Sequence, residues 1–347
     1  MTRSIYLFVL CLIVLTVFTN SSCHKAGLSW VQDGNWVQAA PMSGYPRGNA
    51  SSFVIGDTAY VGLGFNESTG GGVSNFRLTD FWSFSLDSGW QQKADFPGPA
   101  RSNAVGFSVG DSGYIGTGTD GYNVFHDFYQ YDAVGNVWRV KDSFPGGDRY
   151  DAVGFGILGK GYIGTGYNHY WLNDFYRYDP QSDSWAKVPG TAGNFSKRKG
   201  AVAFVYKDRA YIFAGSVSGG MARDAWAFDP SQPIPWIPLH NITNTDPGTF
   251  DDGYTDLERE YGSAFVNGDH AYLTLGLNGT MVTSTWEYDF VQDIWSRRTP
   301  YPRQPRYAGI AFTISGKSFI GTGTTGNNAT FDDFNQFVPG QAYNPND

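Results

Sequence analysis

The sequence predicts an all-β protein: a six-bladed β-propeller of four-stranded antiparallel blades, its ring closed by an N-terminal strand in the last blade. Three observations carry this. The 347 residues include 26 Phe, 22 Tyr, 11 Trp and 45 Gly but only 16% charged residues, a mixture suited to short aromatic strands joined by glycine turns. The stretch GYIGTG stands at 113–118 and again, letter for letter, at 161–166. Around it one unit recurs six times, the signature of an array of like modules.

With the motif's tyrosine as a ruler, equivalents fall at Tyr60, Tyr114, Tyr162, Tyr211, Tyr272 and Phe319. Thirteen residues before each stands an arginine (Arg47, Arg101, Arg149, Arg198, Arg259, Arg306), and four after each a glycine (Gly64, Gly118, Gly166, Gly215, Gly276, Gly323). These separations are constant while the units are spaced by 47 to 61 residues, so the block is rigid and insertions lie outside it. Within it an apolar alternation such as AVGFSV runs into Gly-Asp or Gly-Lys turn pairs before the tyrosine, which reads as a hairpin of strands a and b. Strand c follows in DFWSF, DFYQYD, DFYRYD, DAWAFD, STWEYD and DFNQF, and strand d opens at Trp90, Trp138, Trp185, Trp236 and Trp295. The sixth unit has no tryptophan after Phe337, whereas Trp36 precedes Arg47 by the same 11 residues that separate Trp90 from Arg101. WVQAAP is therefore expected to complete the last blade, closing the ring and removing two unpaired sheet edges.

Ahead of the repeats, Arg3 precedes an apolar run of 14 residues, 5–18, then Asn20, Ser21 and Ser22. The run is shorter than the roughly 20 residues a membrane helix needs and reads as a secretory signal. Cys23 stands where a bacterial lipoprotein signal is cut, and TNSSC resembles a loose lipobox, so lipidation of Cys23 is expected. The predicted organisation is a signal peptide at 1–22, a tether at 23–35, the propeller at 36–338 and a tail at 339–347. The predicted location is the bacterial cell envelope, lipid-anchored, or otherwise secreted. Formal net charge is −8 without a basic run, which argues against a nucleic-acid partner. Cys11 lies inside the signal, leaving Cys23 alone, so neither an internal disulfide nor a cysteine metal site is expected. No cofactor and no metal are expected.

The arginine, the Tyr-hydrophobic-Gly strand, the Tyr-Asp pair and the tryptophan after a six-residue gap (Tyr131 to Trp138, Tyr178 to Trp185, Tyr288 to Trp295) resemble kelch repeats across 36–338. The departure is at the end of strand b, which reads Gly-Thr-Gly or a single glycine instead of two adjacent glycines. Among kelch enzymes, galactose oxidase needs copper and a tyrosine cross-linked to cysteine, and the mature chain has only Cys23 for such a bond. Sialic acid mutarotases are exported kelch propellers of similar size, and that resemblance implies acid–base and arginine groups about the axis. Their catalytic positions have no residue-by-residue match here.

In such blades the b–c loops and d–a connections share one face, and the long intervals lie there: 64–90, and 236–259 with HNITNTDPGTFDDGYTDLE. Two readings stay open for them: they overhang one sector of that face, or they are tolerated surface insertions. Arg47, Arg101, Arg149, Arg198 and Arg306 begin strand a and are candidate ligand residues, a donor ring suited to a carboxylate. Their alternative use is bonding to Asp80, Asp127, Asp174 and Asp224. Glu67, Tyr122, Tyr167 and His169 on b–c loops complete the candidate ligand set. Glu258 and Glu260, flanking Arg259, are the candidates for acid–base catalysis with Arg259 itself, against the alternative of a solvated pair. Without a nucleophile–base motif, the favoured function is a non-catalytic scaffold binding a protein or glycan on the b–c face, with an enzyme the lesser reading. The alternative is a sugar-active enzyme of the sialic acid mutarotase or epimerase type.

Overall fold

Each arginine-to-glycine block folds as strand, tight turn, strand, because its residues alternate between a buried and a half-buried side. The structure, a computed structural model, describes residues 33–67, 76–190, 195–245, 247–327 and 329–347. The chain divides into 1–31 and 32–347, and the six sheets belong to the second unit. The signal segment, Cys23, most of the tether and the tip of the first long loop, 68–75, lie outside the described residues.

Six four-stranded antiparallel sheets follow. The a, b, c and d strands of blade one are Ser51–Ile55, Thr58–Gly62, Phe81–Ser85 and Gly89–Lys93, and those of blade two are Val105–Val109, Ser112–Gly116, Phe128–Asp132 and Val137–Lys141. Blades three to five repeat the order from Val153–Ile157, Val202–Tyr206 and Ser263–Asn267. Register places Phe53 opposite Tyr60, Phe107 opposite Tyr114 and Phe155 opposite Tyr162. The rings of each pair stack 5.3 to 5.5 Å apart, so the ruler tyrosine marks the core side of the hairpin. Innermost strands pack blade against blade around an axis, with Ile310–Ile314 beside Ser51–Ile55.

The duplicated motif has a spatial cause. A Cβ on Gly113 would overlap the Phe53 ring of the preceding blade, and one on Gly161 would overlap Phe107. Only glycine lets the sheets close to this distance. Trp138 and Trp185 donate their indole N–H to Ala94 O and Asp142 O of the previous blade, each at 2.9 Å, stapling neighbours at the outer side.

The last blade corrects the expected closure. Phe334–Ala342 pairs antiparallel with Asp33–Ala39, Trp36 lying opposite Phe337, and Lys317–Gly321 and Ile310–Ile314 complete that sheet. No sheet is closed. The N-terminal strand is itself an edge and Ile310–Ile314 the other, so the two edges expected to vanish are present, as in every blade. Blades join through packed side chains and through backbone bonds of their connections, not through a continuous strand ladder, which is why an added strand completes a sheet without closing one.

The 236–259 interval is packed against blade five. Ile242, Tyr254 and Leu257 are buried with Trp286 and Trp295 of blade five. Asp251 accepts hydrogen bonds from Thr249 Oγ1 and, at 2.8 Å, from the Thr245 amide and hydroxyl. Those bonds, Thr249 first, hold its carboxyl down at about 2.

Candidate functional site

Six arginines mark where each blade begins, and each guanidinium is 0–1% exposed. The Nη1 of every one donates to the carbonyl 16 residues on: Leu63, Thr117, Thr165, Ala214, Leu275 and Thr322. That carbonyl ends strand b. The other donors meet the carboxylate that precedes strand c: Asp80 takes Arg47 at 2.9 and 2.6 Å, Asp174 takes Arg149 at 2.8 and 3.2 Å, and Asp127, Asp224 and Asp333 take Arg101, Arg198 and Arg306. Each arginine thus clamps the b–c connection of its own blade, and none turns a donor toward solvent. Blade five has Ser284 where the others carry aspartate. There Arg259 Nη2 bonds Ser284 Oγ at 2.8 Å and Asp256 supplies the charge. Burial pushes the Arg259 guanidinium down to about 10, so it stays protonated at neutral pH.

Two cyclic sets of backbone bonds sit beside the clamps. The amide of each block-ending glycine donates to the next blade's arginine carbonyl, from Gly64 to Arg101 and onward to Gly323 and Arg47. These glycines have φ of 91 to 109°, and a Cβ on any would lie 2.6 to 2.9 Å from a carbonyl oxygen, so both backbone and space demand glycine. One turn inward, Asn49, Asn103, Asp151, Gly200, Tyr261 and Ala308, each two residues after an arginine, hold φ of 51 to 61°. The amide of each donates to the carbonyl of its predecessor in that ring, and Asn49 to Ala308, at 2.8 to 3.2 Å. They surround a polar axial cavity of about 140 Å³.

Around it the residues one and two after each arginine gather into a polar cluster, the basin. Glu260 accepts a 2.6 Å hydrogen bond from Ser216 Oγ. Ser216 in turn exchanges both backbone bonds with Lys199. Lys199 Nζ lies 3.2 Å from Tyr261 Oη, 3.8 Å from Asp151 and 5.5 and 5.7 Å from the Tyr167 and Tyr261 ring centres. Tyr261 Oη donates to Asp151 at 2.7 Å, and Asn103 Nδ2 donates to the other carboxyl oxygen. Burial is the main force raising the Asp151 carboxyl and the Tyr261 phenol above their ordinary values, and for Tyr261 the Asp151 charge adds to it. Tyr307 lies tilted against Tyr261, ring centres 5.9 Å apart, and Tyr150 meets Tyr167 edge to face at 5.6 Å. The phenol of Tyr307 is raised by burial and by the charges of Glu67 and Glu260. Glu67 accepts from Thr324 Oγ1 at 2.9 Å.

Of the candidates from sequence, the basin gathers Glu67, Tyr167 and Glu260. Glu258 stands apart, 3.5 Å from the exposed Arg223. His169 is an exposed hairpin tip with φ of 57°, and Tyr122 is 96% exposed on a rim loop. The sequence reading passed over Lys199, Tyr261, Asp151, Tyr150, Tyr307 and Ser216. A signal was there: the pairs after the arginines read Gly-Asn, Ser-Asn, Tyr-Asp, Lys-Gly, Glu-Tyr and Tyr-Ala, variation inside an otherwise constant frame. Among the described residues no group of three or more His, Cys, Asp or Glu is placed to hold a metal ion.

Comparison with family models and with curated proteins finds no match. Among solved structures the chain is similar to YjhT, with a TM-score of 0.70 and 18% identity over 85% of this chain and 95% of that one. The six-bladed propeller is thus a fold the two share. That likeness, with the basin, corrects the expectation that an enzyme is the lesser reading. The architecture is the one on which the sugar-active alternative rested, and a carboxylate, an ammonium and four phenols converge on its axis, the groups acid–base chemistry uses.

Proposed function

We propose that the protein is a sugar-active enzyme of the mutarotase or epimerase kind, interconverting the anomers of a free acidic sugar such as a sialic acid. The observation that carries this reading is the convergence of Glu260, Lys199 and Tyr261 within one hydrogen-bonded basin walled by Tyr150, Tyr167 and Tyr307. Anomer exchange opens the ring: a base takes the proton of the anomeric hydroxyl, the carbonyl forms, the bond from the anomeric carbon to the ring oxygen breaks, and an acid protonates that oxygen. Reclosure on the other carbonyl face returns both protons. Glu260 is the base, and the Lys199 ammonium, set beside Tyr261 whose own O–H is taken by Asp151, stands on the donor side. Lys199 also meets the sugar carboxylate, since three N–H donors exceed the one bond it makes to Tyr261. The tyrosine rings face the apolar side of the sugar.

The reaction leaves composition unchanged, so NMR exchange spectroscopy of N-acetylneuraminic acid anomers is the direct measurement. Wild type should accelerate exchange, and Glu260→Gln should lose about 10²–10⁴-fold of that acceleration with an unaltered melting temperature. A wild type that leaves the anomer exchange rate unchanged sinks the reading. We further propose that the enzyme works outside the cytoplasm, held at the envelope by a lipid on Cys23. Mass spectrometry of the membrane fraction, with Cys23→Ser as the control, tests that anchor.

A further inference from the structure

The exposed apolar side chains of the molecule are sorted by chemistry. Leu86, Val134, Leu158, Ile234 and Val291 are aliphatic and lie in a–b or c–d turns, and Val137 and Val140 are on the outer strand of blade two. Tyr45, Phe76, Tyr122 and Tyr170 are aromatic, and all lie in d–a or b–c segments of blades one to three, on the side that holds the basin. A fifth exposed aromatic, Phe250, belongs to the packed insertion against Tyr254 and His240.

The four rim rings are held out by ordered backbone. Asp120 accepts from the amides of Tyr122 and Asn123 at 2.8 and 2.6 Å, Asn123 Nδ2 adds a 3.0 Å bond, and Thr119 Oγ1 accepts from Gly121. Tyr122 therefore projects from a fixed turn, 96% exposed, within electrostatic reach of Arg77. The Arg77 guanidinium lies against Gly121, leaving no room for a Cβ, so the blade-one loop leans on the blade-two turn. Phe76, next to Arg77, meets Tyr45 edge to face at 6.1 Å. Tyr170 tips the blade-three hairpin whose base pairs Tyr167 with Trp171, ring centres 5.1 Å apart, and Tyr167 is already a wall of the basin. Rings thus lead from the basin to the rim on blade three, and the contact of Arg77 with Gly121 ties the blade-one rings to the blade-two turn.

Flat aromatic rings at intervals suit the alternating C–H faces of linked sugars, whereas a protein partner is met more often by a contiguous patch. We propose that this arc is a second saccharide subsite, so that the sugar in the basin is the reducing end of an acidic oligosaccharide. The inference rests on reading the basin as a sugar site. It also follows that the basin sugar is the chain's reducing terminus, because only that residue has a free anomeric hydroxyl to exchange.

The test is calorimetric titration of the full chain with N-acetylneuraminic acid and with its α2,8-linked trimer. The trimer should bind about tenfold more tightly, the gain expected of one or two stacked rings. In Phe76→Ala and Tyr122→Ala, both exposed enough to leave folding intact, the trimer-to-monomer ratio should fall toward one. Equal affinities in wild type, or a ratio unmoved by both substitutions, overturns the arc as a saccharide subsite, and the second result would point to a protein partner for these rings. Anomer exchange of the monomer is scored separately: exchange without trimer preference removes only the arc, and trimer preference without exchange keeps the arc and removes the catalytic reading.

Discussion

At Asp151 a single carboxyl joins the axial ring to the basin, and its environment has a measurable consequence. Burial raises it most, while Tyr261, Lys199 and Asn103 pull it back and the Glu260 charge opposes them. The folded protein therefore keeps this proton to higher pH than the unfolded chain, whose aspartate titrates near 3.9. Between those two values the native state binds more protons, so this group's contribution to stability falls as pH rises from about 4. Asp151→Asn removes the titration while preserving the site, since Asn103 can turn its amide over to accept from the new side chain as Tyr261 still donates. Melting temperature followed from pH 4 to 8 should decline less in the variant than in wild type. Parallel curves would show that the surroundings of Asp151 do not raise its carboxyl above the unfolded value.

At the scale of the element, blade five explains an insertion that its length alone did not. Five blades place aspartate before strand c to neutralise the clamping arginine, and blade five places Ser284 there. Asp256, near the end of the insertion, takes over that role and also accepts the Trp286 indole N–H at 2.8 Å. The long interval is thus tied to the substitution at 284. Asp256→Ala leaves a fully buried Arg259 without its charge partner and should lower unfolding free energy by about 3–5 kcal/mol. Ser284→Asp in that background restores the arrangement of the other blades and should recover most of the loss by urea denaturation. A double variant no more stable than the single one would break the link between insertion and missing aspartate.

At the scale of the molecule, what the sequence made legible is what the scaffold repeats. Arginine, tyrosine, glycine and tryptophan recur because every blade needs the same clamp, stacked pair, tight turn and outer staple, and from them blade number and strand order could be read. The basin was legible only at Glu67, Tyr167 and Glu260, since Lys199, Asp151 and Tyr307 come from separate blades and meet only once backbone bonds encircle the axis. Periodicity reports what blades share, and a site assembled from their differences leaves no period. Closure was misjudged for a related reason: a missing tryptophan locates a missing strand but does not say how its edge is met. The structure gives that strand one deeply set anchor. Trp36 is 1% exposed, donates its indole N–H to Thr299 O at 3.0 Å, and meets Tyr301 and Phe337 at 5.0 and 4.8 Å. It therefore binds the N-terminal strand to the connection leaving blade five as well as to its own sheet. Trp36→Ala should cost about 3–5 kcal/mol, and because the cavity lies between blades five and six, the loss should appear as a lower midpoint of one cooperative unfolding transition. A loss below about 1 kcal/mol, the range of ordinary surface substitutions, would mean that the N-terminal strand contributes little to holding the last two blades together.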